Sequence, residues 1–209
     1  MIPYSKQFVS SDDIKSVIKV LKSDFLTQGT EVPKFENKIK NFVGTKYAVA
    51  VSSASAALHL SCLALDLKKN DILWTVPNTF VASASCGLHC GAQIDFVDID
   101  KNTNNISVDE LEKKLKKAKK TKKLPKILIP VHFSGFPYEQ DKIFQLSKKY
   151  KFKIIEDASH ALGSKYKNNI VGSCKWSDIS VFSFHPVKPI TSGEGGVITT
   201  NNKILLVIP

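Results

Sequence analysis

Short apolar runs alternate along this chain with longer stretches in which apolar residues recur every three or four positions. Runs of the first kind cover residues 48–52, 71–76, 94–98, 127–131, 152–156, 179–182 and 196–200, and predict seven β-strands. Stretches of the second kind, 54–67, 80–90, 108–120 and 140–151, predict helices between successive strands. Such alternation implies βαβ units, and so an α/β fold with a mainly parallel sheet and helices on both faces. The near-continuous apolar runs Ile127-Leu128-Ile129-Pro130-Val131 and Val181-Phe182 fit strands covered on both sides.

Ahead of this core, Ser11-Asp12-Asp13 reads as a helix cap leading into apolar positions Ile14, Val17, Ile18 and Leu21. A second helical segment covers 32–42, and Leu26-Thr27-Gln28-Gly29 reads as the turn between the two. The expected organisation is a helical arm at 1–45, a large α/β domain at 46–203 and an atypical apolar tail at 204–209. The ending Ile204-Leu205-Leu206-Val207-Ile208-Pro209 reads as a fragment end or frameshifted tail; the alternative is a native final strand or docking segment.

Composition narrows the class. A chain of 209 residues with 43% hydrophobic content can bury one substantial core. No run of eighteen apolar residues predicts a membrane span, and Met1-Ile2-Pro3-Tyr4-Ser5-Lys6 leads into no apolar signal core, so a cytoplasmic location is expected. A net charge of +11 raises the question of nucleic acid. All 30 basic residues are lysine, however, so the guanidinium fork that grips phosphates and reads guanine is missing. The lysine-rich run 113–123 therefore reads as a solvated helix end and linker, and no nucleic-acid partner is expected. The four cysteines, Cys62, Cys86, Cys90 and Cys174, form no CxxC pair; they read as buried thiols, with no metal site.

Chemistry concentrates late in the chain. Lys188 stands in Ser183-Phe184-His185-Pro186-Val187-Lys188-Pro189, and Asp157 stands in Glu156-Asp157-Ala158-Ser159-His160-Ala161 at the end of a predicted strand. An acid after one strand and a lysine after the next suit pyridoxal phosphate (PLP). The lysine amine joins the cofactor aldehyde, and the carboxylate keeps the ring nitrogen protonated. Gly193-Glu194-Gly195-Gly196 lacks the Lys-Ser/Thr ending of a P-loop and reads as a turn into the last strand.

These motifs, in this order, resemble the DegT/DnrJ/EryC1/StrS aminotransferases, fold-type I PLP enzymes that install amino groups on nucleotide-linked keto sugars. The likeness runs from Ile2 to about Lys203, but corresponds to only the N-terminal half of a typical member. The opening Ile2-Pro3-Tyr4 through Gln7, together with Ser159-His160-Ala161 and His185-Pro186-Val187-Lys188, looks closest to one branch. Its members aminate UDP-4-keto-6-deoxy-N-acetylhexosamines on the route to pseudaminic acid.

The resemblance implies a seven-stranded large domain without its C-terminal small domain, with Lys188 and Asp157 catalytic. Ala54 and Ser55, where the family usually has Gly-Thr, would form the phosphate cup at a helix start together with Ser183. Phe80 would stack on the cofactor ring, and His160, a glutamine in many relatives, would sit near its phenolic oxygen. Tyr4, Gln28 and His185 are candidate substrate contacts, whereas His59 and His132 read as structural. Some relatives carry histidine in place of the lysine and act as sugar dehydratases, so Lys188 favours transamination. The implied partners are L-glutamate, a UDP-linked keto sugar and a second copy of the chain. With half of a relative's length and no arginine, the chain itself is expected to be weak or inactive. The alternative is a PLP-binding or dimer-forming remnant, or one half of a split enzyme.

Overall fold

A computed structural model describes residues 5–206. Two helices, α1 (Ser11–Leu21) and α2 (Glu31–Val43), precede the alternating elements. These are β1 (Tyr47–Val51), α3 (Ala54–Ala64), β2 (Ile72–Thr75), α4 (Ala82–His89), β3 (Gln93–Phe96), α5 (Val108–Thr121), β4 (Ile127–Leu128), α6 (Gln140–Tyr150) and β5 (Lys153–Asp157). A hairpin of β6 (Lys165–Tyr166) and β7 (Asn169–Ile170) leads to β8 (Ile179–Ser183) and β9 (Gly196–Thr200). Seven strands form one sheet in the order β1-β9-β8-β5-β4-β2-β3. Pairing is parallel from β8 through β3, while β9 runs antiparallel to both β8 and β1. The expected mixed, mainly parallel sheet is therefore present.

Successive strand residues point to opposite faces, and the core divides accordingly. Leu73, Ile127, Ile155 and Val181 face Ala57 and Leu58 of α3 and Cys86 of α4. Trp74, Leu128 and Ile154 face Leu111 and Leu115 of α5 and Ile143 of α6. At the β1–β9 edge of that second face, Phe182 and Val197 meet Ile39 and Val43 of α2. Leu111 and Leu115 are fully buried, which is worth about 1.5–3 kcal/mol apiece. Helix α1 differs: none of its residues is buried, and Ile14, Val17, Ile18 and Leu21 are exposed.

Element ends depart from the periodic pattern where backbone chemistry intervenes. The cap of α1 is Ser10, whose hydroxyl accepts from the Asp13 N–H while the Asp13 carboxylate accepts from the Ser10 N–H. Helix α3 stops at Ala64 rather than 67, because Asp66 adopts a left-handed φ of 59° and Leu67 bonds back to Cys62. Helix α4 begins at Ala82, not 80; residues 77–81 lie outside it, and Ser83 N–H bonds the Phe80 carbonyl at its start. Strand β4 is cut to two residues ahead of Pro130, which has no N–H to donate, and pairing resumes only as a bridge between Val131 and Asp157. The β6–β7 hairpin turns through Lys167 and Asn168, both at positive φ, and no apolar period announces it. In the lysine-rich run, Lys113, Lys114 and Lys116 pair with Glu110, Asp95 and Glu112 on the solvated side of α5.

Candidate active site

The carboxyl ends of β1, β5 and β8 lie side by side at one edge of the sheet, with the start of β9 among them. Ligands of open α/β sheets bind at such an edge. A cleft of about 640 Å³ opens there. Of the residues singled out in the sequence, Ala54, Ser55, Phe80, Asp157, His160, Ser183, His185 and Lys188 line it. Gln28 does not. It lies in the turn between α1 and α2, where its φ of 54° reverses the chain and leaves its side chain in solvent. Tyr4 lies outside the described residues.

One wall is the N-terminus of α3. Ser53 is extended (φ −163°, ψ 163°), and its hydroxyl accepts from the Ala56 N–H at 3.1 Å. The N–H groups of Ala54 and Ser55 come first in the helix, where no carbonyl lies four residues back. Alanine suits this position because its φ is not in the left-handed region. The wall stands against β9 through Gly196, where a Cβ would come within 2.4 Å of the Ser53 carbonyl carbon. With the Ser55 and Ser183 hydroxyls, this is a donor set for a dianion.

The floor is Asp157, 5% exposed at the end of β5. Its Oδ1 accepts from the Ser159 hydroxyl at 2.6 Å and the Ser159 N–H at 3.2 Å. Its Oδ2 accepts from the Ser83 hydroxyl of α4 at 2.6 Å. Three donors thus converge on its two oxygens, a setting that suits it to accept a ring N–H. Behind it, buried His132 stacks on Tyr138 at 4.5 Å and lies 3.8 Å from Glu156 Oε2.

Lys188 enters from a loop closed at its neck by Phe184 N–H on the Gly195 carbonyl and Ser192 N–H on the Phe184 carbonyl. Its Nζ lies 2.6 Å from His160 Nε2. Burial holds the Lys188 amine below its ordinary pKa, with the Asp157 charge opposing, so the nucleophilic neutral form is easier to reach. His160 is also held low, by burial first and then by the Lys188 charge, so its imidazole stays neutral beside the lysine. At the rim, His185 Nε2 is 3.9 Å from Glu194 Oε1. Phe80 stands on the opposite wall with 72% of its surface exposed. Phosphate donors, a buried acid and a half-buried lysine in one cleft match the three polar features of PLP: its phosphate, ring nitrogen and aldehyde.

The three hydroxyls tied to Asp157, directly or through one another, escaped the sequence: Ser83, Thr79 and Ser159. Ser159 had a readable signal, since Asp-Ala-Ser can form a local side-chain turn. Ser83 had none, lying 74 residues from Asp157.

Sheet order, cleft position and donor set together define the large domain of a fold-type I aminotransferase. The chain belongs to the DegT/DnrJ/EryC1/StrS aminotransferase family, whose sequence pattern matches residues 8–207. A UDP-4-amino-4,6-dideoxy-N-acetyl-beta-L-altrosamine transaminase of Campylobacter jejuni is 45% identical over 206 residues, 99% of this chain and 53% of that protein. Among solved structures, Helicobacter pylori PseC, an aminotransferase of pseudaminic acid biosynthesis, superposes with a TM-score of 0.87 at 35% identity, over 97% of this chain and 53% of its own. The PMP form of Streptococcus pneumoniae Spr1654 gives 0.89 at 30% identity, over 99% and 54%. The chain spans about half the length of the curated relatives it matches.

Proposed function

We propose that this chain carries the cofactor site of a PLP-dependent nucleotide-sugar aminotransferase. The enzyme would move an amino group from L-glutamate to C4 of a UDP-linked 4-keto-6-deoxy-N-acetylhexosamine. The observation that carries the reading is the convergence of Lys188, Asp157 and the α3 N-terminus in one cleft. The similarity to the Campylobacter transaminase and to PseC supports the sugar assignment.

PLP, when bound, supplies the electron sink that stabilises the carbanion left by loss of the substrate α-proton. The protein's residues do the rest. Lys188 would hold the cofactor aldehyde and, as a half-buried amine, would serve as the base and acid that moves the substrate proton. Asp157 would accept the N–H of the ring nitrogen. Ala54 and Ser55 N–H groups, with the Ser55 and Ser183 hydroxyls, hold the phosphate. Phe80 would cover a ring face, and His160, now against Lys188, would stand near the phenolic oxygen. His185, Gln28 and Tyr4 are assigned to the substrate, and the enzyme to a homodimer. The setting is the cytoplasm; no described helix is long and apolar enough to cross a membrane.

Half the length of its relatives and the absence of arginine lead us to expect weak or no amino transfer by these 209 residues alone.

The test is borohydride trapping. The purified chain is incubated with PLP, reduced, digested and mapped by mass spectrometry. A single pyridoxyl group on Lys188, lost in Lys188→Ala, is expected. Labels scattered over many lysines, or none, would overturn the cofactor assignment. Amine product formed from L-glutamate and the keto sugar by these 209 residues alone would overturn the expectation of weak or no transfer.

A further inference from the structure

Asp157 is served from two sides, and the two sides are not equivalent. Its Oδ1 already has two donors, both from Ser159, whereas Oδ2 has one, the Ser83 hydroxyl. An ionised carboxylate oxygen offers about two acceptor sites. Oδ2 is therefore the oxygen with capacity left for a ring N–H. Ser83 is 0% exposed on α4, so its hydroxyl has no water to turn to.

A second contact fixes the direction of the chain of hydrogen bonds. Thr79 Oγ1 lies 2.8 Å from Ser83 Oγ. Ser83 has a single hydroxyl proton, and the ionised Asp157 can only accept it. Ser83 must then accept at its other contact, and Thr79 must donate. The relay runs Thr79 O–H to Ser83 O–H to Asp157 Oδ2. Thr79 adjoins Phe80, so the relay also fastens the turn that presents Phe80 to the cleft.

We propose that Ser83 is the positioning residue for Asp157, orienting Oδ2 toward the cofactor nitrogen and, with Thr79 behind it, keeping the shared proton on that nitrogen. This rests on the PLP reading above. Its physical content is a competition for one proton. A hydroxyl donating to Oδ2 stabilises the charged carboxylate and so leaves the proton on the ring. Without that donor the carboxylate holds the proton more strongly, and the ring loses electron-withdrawing power.

The test uses the 209-residue chain loaded with PLP labelled with 15N in the ring, comparing wild type with Ser83→Ala and Thr79→Val. Two readouts are taken: the borohydride adduct on Lys188 and the 15N resonance of the ring. The expected result is the adduct in all three proteins, with the resonance moved downfield, toward unprotonated nitrogen, in Ser83→Ala and by less in Thr79→Val. An unmoved resonance in Ser83→Ala with the adduct intact would overturn the role of Ser83 and leave the cofactor assignment standing. Failure of the wild type to form the adduct would overturn both. Should Ser83→Ala not fold, Thr79→Val, which keeps the side-chain shape, decides: no downfield movement refutes the relay.

Discussion

Two adjacent glycines should respond unequally to the same substitution. At Gly196 a Cβ would meet Ser53 C at 2.4 Å, Ser53 O at 2.5 Å and Ala54 N at 2.7 Å. All three are backbone atoms of the turn that begins α3, so no side chain can swing aside. Gly196 is also pinned on both sides, paired with Val51 of β1 and Ser183 of β8. Overpacking of this kind costs about 1–3 kcal/mol. For a chain of this size each kcal/mol lowers Tm by about 2–4 °C, so Gly196→Ala should melt about 2–12 °C below wild type. The displaced atoms belong to the proposed phosphate cup, so the yield of the Lys188 adduct should fall as well. At Gly195 the nearest atom to a new Cβ is Ser192 Oγ at 2.6 Å, an exposed hydroxyl that can rotate at the expense of its bond to the Glu194 carbonyl. Gly195→Ala should therefore cost no more than about 0.5 kcal/mol. Circular dichroism melts of the three proteins, with borohydride trapping alongside, test the pair. Equal melting temperatures and equal adduct yields for the two variants would refute the close approach of β9 to α3 as the reason for glycine.

Acid should loosen the β6–β7 hairpin before the sheet. The Lys167 ammonium and the Tyr166 hydroxyl, each 2.6 Å from the Asp141 carboxylate, hold it below its usual pKa of 3.8. A depressed carboxylate adds stability that is complete above its unfolded value and lost as pH falls through the folded one. Amide exchange in residues 165–170 should thus rise below about pH 3.8 in wild type and already be raised at neutral pH in Asp141→Asn; exchange that is flat with pH would count against the ion pair as the anchor. The thiols should also sort by burial. Burial pushes Cys174 up to about 12, and Cys62 and Cys86 are enclosed between α3 and α4, whereas Cys90 is only partly covered. Iodoacetamide at mild alkaline pH should modify Cys90 first and the other three only after denaturation; equal rates at Cys174 and Cys90, read by mass spectrometry, would contradict this ordering.

Much of the molecule was legible in order along the chain. The period of apolar residues reports whether a segment is strand or helix, because that period follows from local backbone geometry. All seven strands of the main sheet and all six helices lie where that period put them, to within a few residues. Lys188 and Asp157 stood out because their chemistry is unusual at the end of a strand. Errors fell where one backbone group decides an end: the left-handed Asp66, the missing N–H of Pro130, the positive φ at Lys167 and Asn168.

Assembly was decided elsewhere. The strand order β1-β9-β8-β5 is not the order of the chain, and it alone brings the start of α3, Gly196, Ser183 and Asp157 together. Apolar periodicity says that a face will be buried, but not against which element. For that reason Ser83 looked like any small residue in a helix. The sequence determined the elements and the reactive groups, since both are local properties. The tertiary structure decided which hydroxyl reaches Asp157 and which glycine admits a helix, since both depend on contacts between residues far apart in the chain.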